Sequence, residues 1–329
     1  MIPNLFIVGA AKSGTTSLYS YLKNHPEIYL STVKEPHYFC TDFHRSSDAF
    51  HGTENNFPIR THQAYLELFS GAKAEMAIGE ASASYLYSTE AAENIAAFNP
   101  AAKIIICLRS PAELVRSWHS YLLFCLEEDI EIFSKALDAE ICRRDNSSTR
   151  EHLPTNVRYP ERLYYSSVAK LAEQVERYLV KFPRDQVFFV VLEDMKLNPQ
   201  RVYSELLDFL EVSPHTYNDF EIRNARSIRK NRGITFLQRE LLMPLVKSPK
   251  PKFLSRMLPE PAKKMAYSML EKLYLALDRL NRSDDAKYGA SRPEEAALKQ
   301  LHASLKSEVD KLALLTGRDD LLELWAYDE

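Results

Sequence analysis

Long apolar runs are absent from this sequence. No stretch approaches the ~20 consecutive apolar residues that a membrane-spanning helix needs. The N-terminal run MIPNLFIVGA has only the length of a strand, and it lacks both a basic leader and a small-residue cleavage site. The sequence therefore predicts a soluble chain without a membrane span.

Cysteine is also scarce, and its spacing excludes the common metal and disulfide frameworks. The four cysteines form no CxxC pair and show no histidine–cysteine spacing typical of a zinc site. They are Cys40, Cys107, Cys125 and Cys142. Free thiols suit a reducing compartment, so we expect a cytoplasmic protein without a metal.

Charge of one sign is missing as well. The 42 basic and 45 acidic residues leave a net charge of −3, which gives no general attraction to nucleic acid or to an anionic membrane. We therefore expect no nucleic-acid partner. With 329 residues, 45% of them hydrophobic, the chain is long enough to bury a sizeable core.

Short apolar runs alternate with segments of helical periodicity. The runs at residues 5–8, 76–78, 103–108 and 187–192 have the length of buried strands, and residues 17–24 and 168–181 have helical spacing. This alternation predicts an α/β fold with a P-loop-like parallel sheet flanked by helices. In such sheets ligands bind beyond the carboxyl ends of the strands.

One segment differs in composition from the rest. Residues 241–282 hold nine basic and three acidic residues, a local charge of about +6, with prolines in the first half. We predict an amphipathic helix over residues 262–280 and further helix over residues 293–325. We expect a single domain, 1–329, in which 241–282 is a basic helical insertion. That insertion is a lid or a docking surface for the acceptor, or else a solvated helical face.

A loop rich in small residues follows the first predicted strand. The sequence FIVGAAKSGTTSL, residues 6–18, indicates a strand, a turn and a helix that begins at about Thr15. Backbone amides of such a turn favour a bound anion, and a lysine with several hydroxyls strengthens the site. The candidate phosphate ligands are Lys12, Ser13, Gly14, Thr15, Thr16 and Ser17. An ordinary turn capped by threonine is the simpler alternative.

The order of residues in this loop argues against an ATP–magnesium site. In nucleotide triphosphatases the lysine follows the last glycine, as in GxxxxGK[ST]. Here Lys12 precedes Gly14. A second strand–turn–helix unit carries Arg109-Ser110-Pro111 and, two helical turns later, Ser117. Arg109 and Ser117 can hold a second phosphate, although a surface ion pair also explains an arginine at a strand end.

Together these two motifs resemble those of sulfotransferases that use 3′-phosphoadenosine 5′-phosphosulfate (PAPS). The closest resemblance is to the branch with the heparan sulfate N- and 3-O-sulfotransferases and their bacterial relatives. It implies that Lys12 offsets charge on the leaving phosphate and that Arg109 and Ser117 bind the 3′-phosphate. Lys230, Arg232 and Gly233 resemble a loop that closes over that phosphate, or they form a solvated basic loop.

The segment KEPHYF, residues 34–39, resembles the one that carries the glutamate base in this branch. It makes Glu35 the candidate base and His37 an acceptor ligand or auxiliary base, because both can withdraw a proton from an attacking alcohol. Pro36 is expected to hold Glu35 in an extended conformation. GEASASY, residues 79–85, also matches the branch, but Ala81 stands where the heparan enzymes typically have lysine. This departure argues against a heparan-like acceptor.

The sequence thus predicts in-line sulfuryl transfer from PAPS to a hydroxyl or amine acceptor, without a metal. The acceptor is a glycan, a lipid or another small molecule. Two alternatives remain. A small-molecule kinase would hold magnesium at Glu80, Glu193 or Asp194. A non-catalytic protein would use the same pocket to capture sulfated or phosphorylated ligands.

Overall fold

The structure, a computed structural model, describes residues 1–54, 56–145, 152–220, 227–229, 231–242, 260–284 and 292–327. A sheet of five parallel strands, in the order β2-β3-β1-β4-β5, runs through its centre. The strands are β1 (Leu5–Gly9), β2 (Ile28–Leu30), β3 (Ala77–Ala81), β4 (Lys103–Leu108) and β5 (Val187–Val191). The predicted α/β class with a parallel sheet is confirmed.

Both faces of the sheet are covered, which explains why its strands read as continuous apolar runs. All five residues of β1 are buried. Phe6 and Val8 face one hydrophobic cluster, whereas Leu5 and Ile7 face the cluster on the other side. Successive strand residues point to opposite faces, so a strand buried on both faces needs apolar residues at every position.

The helices on the two faces follow the strands in alternation. They are α1 (Thr15–Leu22), α2 (Thr41–His51), α3 (His62–Glu67), α4 (Ala91–Phe98), α5 (Pro111–Phe124), α6 (Phe133–Asp145), α7 (Tyr165–Ala169), α8 (Leu171–Lys181), α9 (Leu192–Leu197) and α10 (Pro199–Leu210). The helix predicted over residues 168–181 is in fact two helices, because Lys170 leaves the helical region with φ −76° and ψ 64°.

The C-terminal third adds a two-stranded antiparallel ribbon and more helices. Its elements are β6 (Ser227–Arg229), α11 (Arg232–Phe236), a π-helix (Leu237–Leu242), α12 (Glu260–Asn281), β7 (Arg282–Asp284), α13 (Arg292–Ser304), α14 (Lys306–Thr316) and α15 (Leu321–Leu324). The helix predicted over residues 262–280 is present as α12. Residues 243–259, which belong to the predicted insertion 241–282, lie outside the described residues. None of the described helices has the length and apolar character needed to cross a bilayer.

The carboxyl ends of β1, β3 and β4 lie side by side, and backbone hydrogen bonds join the segments that leave them. Ala10 N donates to Cys107 O at 2.6 Å, Ser82 N to Ile7 O at 3.1 Å, and Glu35 N to Ala81 O at 2.9 Å. The predicted phosphate loop, Ser82 and Glu35 therefore converge at one edge of the sheet.

Candidate active site

The turn after β1 has an uncommon backbone conformation at two positions. Lys12 has φ 64° and Gly14 has φ 89°, both in the left-handed region. A Cβ at Gly14 would lie 2.5 Å from Met195 Cε and 2.9 Å from Leu192 Cδ1. Only glycine fits this position without strain, because L-residues with a Cβ avoid such φ values and the space is filled. Helix α1 begins at Thr15, as predicted.

The N-terminus of α1 fits an anion better than it fits an ordinary capped turn. Gly14 occupies the cap position, and no side chain caps the helix. Ser13 is fully buried, and its Oγ has no hydrogen-bond partner among the described residues. Buried hydroxyls are almost always bonded, so this one, at the N-terminus of a helix, indicates a place built to hold a polar group. A phosphate group fits this requirement, with Thr15 and Ser17 buried and Thr16 half-buried in the same turn.

The second predicted phosphate motif lies next to the first. Arg109 directly follows β4, and its Nη1 donates to the carbonyl of Lys12 at 3.1 Å. Its Nη2 is also 3.7 Å from Glu113 Oε2, so the ion pair considered from the sequence exists, but it is the longer contact. Ser117 is buried on α5, two turns beyond Arg109. Neighbouring strands thus bring together two motifs that are about 100 residues apart.

The third predicted element is only partly described. Lys230 lies outside the described residues, and for Arg232 the structure describes the backbone alone, as the first residue of α11. Gly233 follows it in α11 and is exposed. Strand β6 lies against α5, the helix that carries Ser117. The strand that precedes the basic run therefore lies against the helix of the second predicted phosphate motif.

The carboxylate of Glu35 is held by hydrogen bonds from the segment that follows β3 and from Lys34. Its Oε2 accepts from Ala83 N at 2.8 Å, and its Oε1 accepts from Lys34 Nζ at 2.7 Å. The side chain remains 32% exposed, so an acceptor can reach it. The extended conformation expected from Pro36 is wrong: Glu35 has φ 58°, in the left-handed region. The bonds to Ala81 O and Ala83 N outweigh the local preference, and such outliers concentrate at functional sites.

His37 is buried beside Glu35, and one of its ring nitrogens already has a hydrogen-bond partner. Its Nε2 lies 3.3 Å from Arg158 Nη1 and 3.9 Å from Glu35 Oε2. Burial, followed by the positive charges of Arg158 and Arg162, holds the pKa of His37 well below its ordinary value. A guanidinium only donates, so Nε2 is the acceptor and the proton sits on Nδ1, which has no partner among the described residues. The ring is neutral, and its lone pair already accepts a bond.

The buried carboxyl of Glu80 holds the segment that contains Glu35 and His37 through hydrogen bonds. Glu80 is fully buried on β3, and burial raises its pKa from 4.5 to about 7 even though hydroxyls bond to it. Tyr85 donates to Glu80 Oε1 at 2.6 Å, and Ser82 donates to Oε2 at 2.8 Å. Ser82 Oγ in turn accepts from His37 N at 3.2 Å. Glu80 therefore fixes the backbone around the candidate base.

The carboxylates proposed for magnesium in the kinase alternative are engaged elsewhere. Glu80 holds hydroxyls in the core, as described above. Glu193 accepts from Trp325 Nε1 at 2.9 Å, and Asp194 accepts from Arg318 Nη1 at 2.6 Å. Within the described ranges no group of three histidine, cysteine, aspartate or glutamate side chains is placed to hold a metal ion.

Several residues that contact the candidate site residues were not predicted from the sequence. Arg158 contacts His37 from 121 positions away, a distance that no local pattern bridges. Tyr121, whose ring lies below the Lys12 ammonium, is four residues after Ser117 on the same face of α5. That spacing was a usable signal. The Ala83 amide that holds Glu35 follows from the GEASASY segment only once β3 is known to extend to Ala81.

The chain is similar to known proteins in sequence and in fold. Residues 3–256 match a family model described as a sulfotransferase domain. The chain is 28% identical over 254 residues to mouse carbohydrate sulfotransferase 15, covering 65% of this chain and 44% of that protein. It is 28% identical over 223 residues to human bifunctional heparan sulfate N-deacetylase/N-sulfotransferase 3, covering 66% and 23%. The chain thus spans less than half the length of these curated relatives.

A solved structure matches over nearly the whole chain. It is a sulfotransferase from Alicyclobacillus acidocaldarius, with 27% identity and a TM-score of 0.64. The match covers 98% of this chain and 98% of that one. The likeness therefore includes the C-terminal elements beyond residue 256.

Proposed function

This chain belongs to the sulfotransferase family, and on that premise we propose that it transfers the sulfuryl group of PAPS to a hydroxyl or amine acceptor, with Glu35 as the general base. PAPS is a co-substrate in this proposal. Its sulfuryl group is the one that moves, and 3′,5′-bisphosphoadenosine is the product that leaves. No metal is assigned a role.

The residues that would hold PAPS are those of the two phosphate motifs. The turn from Lys12 to Ser17 would hold the 5′-phosphosulfate, and the bonding capacity of Ser13 Oγ and the uncapped helix supports this assignment. Arg109 and Ser117 would hold the 3′-phosphate. Lys230, Arg232 and Gly233 remain a prediction for closing over it.

The chain's own groups supply a base and a positive charge. Glu35 withdraws the acceptor proton, and its carboxylate is oriented for this by Ala83 N and Lys34 Nζ. Lys12 and the amides of the first turn of α1 offset the negative charge that grows on the leaving phosphate oxygen. His37 is neutral and bonded to Arg158, so we assign it to shaping the acceptor site and not to proton withdrawal.

The observation that carries the proposal is the convergence of base and anion site at one edge of the sheet. The backbone of Glu35 is hydrogen-bonded to the end of β3, and Lys12 lies in the turn that follows the neighbouring strand β1. A protein that only captured sulfated or phosphorylated ligands would need the anion site, but it would have no use for a carboxylate fixed beside it.

The proposed acceptor class rests on the names of the relatives and on the residue at position 81. Relatives named as carbohydrate and heparan sulfate sulfotransferases support a glycan, and we propose this class first. Ala81, in place of the usual lysine, argues against a heparan-like chain. A lipid or another small molecule, a cytoplasmic location and an acceptor-docking role for residues 241–282 all stay predictions.

A transfer assay tests the proposal directly. PAPS labelled with ³⁵S is incubated with the protein and a panel of glycan, lipid and small-molecule acceptors, and Glu35→Gln serves as the matched control. We expect label on at least one acceptor class with the parent and almost none with Glu35→Gln. Phosphate transfer from γ-labelled ATP, without any sulfuryl transfer, would overturn the proposal in favour of a kinase.

A further inference from the structure

The side chain of Lys12 lies over the ring of Tyr121. Its Nζ is 4.9 Å from the ring centroid. The carbonyl of the same lysine accepts from Arg109 Nη1 at 3.1 Å. Arg109 and Tyr121 belong to one unit, the end of β4 and the helix α5 that follows it. One structural unit therefore holds both ends of Lys12.

The ring of Tyr121 is fixed on its other sides. It packs against Trp118, with centroids 5.4 Å apart and an interplanar angle of 32°. The buried guanidinium of Arg162 lies 5.9 Å from the ring of Tyr121, and it is neutralised by Glu127, whose Oε2 is 2.7 Å from Arg162 Nε. The hydroxyl of Tyr121 hydrogen-bonds with Cys125. A ring fixed in this way offers its electron-rich face to an ammonium.

This contact matters because a lysine side chain is intrinsically flexible. Its four-carbon stem has many rotamers, and choosing one of them costs entropy. Lys12 also leaves a backbone with φ 64°, so the stem begins from an uncommon direction. A positive charge stabilises the negative charge that develops in the transition state most strongly when it is already in position before the reaction.

We propose that Tyr121 is a positioning residue: its ring holds the Lys12 ammonium ready for the leaving phosphate oxygen. The inference rests on the role proposed above for Lys12. In this proposal Tyr121 acts through Lys12 and not by touching PAPS or the acceptor. Its effect should therefore appear in kcat more than in the Michaelis constant for PAPS.

Substitutions that keep or remove the ring test this directly. Tyr121→Phe should keep kcat within about threefold, and Tyr121→Leu should lower it about 3- to 30-fold. Phenylalanine analogues with one, two or more ring fluorines at position 121 keep the shape but weaken the negative face, so log kcat should fall with each fluorine. The matched control is Tyr164→Leu, which removes a ring under the guanidinium of Arg144, 4.4 Å away, and should leave kcat unchanged.

A second measurement does not depend on catalysis. Lysines are labelled by reductive ¹³C-methylation, and the Lys12 methyl resonance is assigned with Lys12→Arg. The ring current of Tyr121 should shift this resonance upfield in the parent and in Tyr121→Phe, but not in Tyr121→Leu. An upfield shift in a protein without sulfuryl transfer would keep the contact and reject the proposed function. No shift in the parent, or equal kcat in all ring variants of an active enzyme, would overturn the role of Tyr121.

Discussion

The guanidinium of Arg109 donates to the backbone carbonyl of Lys12 at 3.1 Å, and this bond joins the two predicted phosphate motifs of the chain. The motifs leave neighbouring strands β1 and β4, which pair from Leu5 and Lys103 onward. Because Arg109 belongs to one motif and bonds to the backbone of the other, a substitution at Arg109 should alter the turn that contains Lys12 as well as the second predicted phosphate site.

The first prediction concerns nucleotide specificity. 3′,5′-Bisphosphoadenosine should raise the melting temperature without magnesium, because a ligand that binds only the folded state stabilises it. At a concentration about 100 times the dissociation constant, the gain is about 2.7 kcal/mol. ATP should act weakly. Differential scanning fluorimetry checks this, and stabilisation by ATP that requires magnesium would speak for the kinase alternative.

The second prediction separates the two residues of the 3′-phosphate motif. Arg109→Ala and Ser117→Ala should each weaken PAPS binding, and loss of a charge-assisted contact of about 1.5–3 kcal/mol corresponds to roughly 10- to 150-fold. Arg109→Ala should also lower kcat, since it frees the Lys12 carbonyl. Ser117→Ala should leave kcat near the parental value. Calorimetry and steady-state kinetics measure both quantities, and unchanged affinity in both variants would mean that the site is misplaced.

The third prediction uses two glycines with positive φ. Gly14→Ala must accept φ 89° and a Cβ 2.5 Å from Met195 Cε, whereas Gly52→Ala must accept only φ 67°, with nothing within 4 Å. Left-handed φ costs an alanine about 1–2 kcal/mol, and overpacking adds about 1–3 kcal/mol. Urea unfolding should therefore show a larger loss for Gly14→Ala. Equal losses would show that the space around Gly14 gives way easily.

The fourth prediction follows from the pKa of Glu80, which burial raises from 4.5 to about 7. Between these pH values the folded protein keeps a proton that the unfolded chain releases, so this carboxyl lowers the free energy of unfolding as pH rises. The full effect is on the order of 3 kcal/mol. Relative to Glu80→Gln, the parent should lose stability from pH 4.5 to pH 8 in urea titrations. Parallel curves for the two proteins would contradict this assignment.

Much of the fold was predictable because its signals are local. Strand β4 was predicted at its exact bounds, since six consecutive apolar or flanking residues mark it, and the start of α1 followed from the Gly-Thr-Thr turn. Strand β2 was missed because Ile28–Leu30 is three residues long and shows no periodicity. The motifs of Lys12 and Arg109 were likewise local, but their contact depends on which strands are neighbours.

The remainder depended on tertiary contacts that no pattern contains. Glu35 takes φ 58° against the preference imposed by Pro36, because bonds to Ala81 and Ala83 each add about 1 kcal/mol. His37 was considered as a base from its pKa near 6.5 in isolation. Burial and Arg158, 121 residues away, lower that pKa, and this information exists only in the folded chain.

The fifth prediction concerns which residue is the general base. Two variants, Lys12→Ala and His37→Ala, provide the comparison for Glu35→Gln. Lys12→Ala should reduce both PAPS affinity and kcat, because the ammonium contacts the phosphosulfate before and during transfer. His37→Ala should cause only a mild loss of kcat, since its Nε2 already accepts from Arg158. A loss as deep as that of Lys12→Ala would transfer the base role to His37.

The most direct test of the account is single-turnover sulfuryl transfer by Glu35→Gln, measured beside the dissociation constant for PAPS. Glutamine keeps the shape and the bond from Ala83 N but cannot withdraw a proton. We expect the transfer rate to fall roughly 10²- to 10⁴-fold while PAPS affinity stays within a few-fold of the parent. A near-parental transfer rate on a genuine acceptor would contradict the assignment of Glu35 as the base.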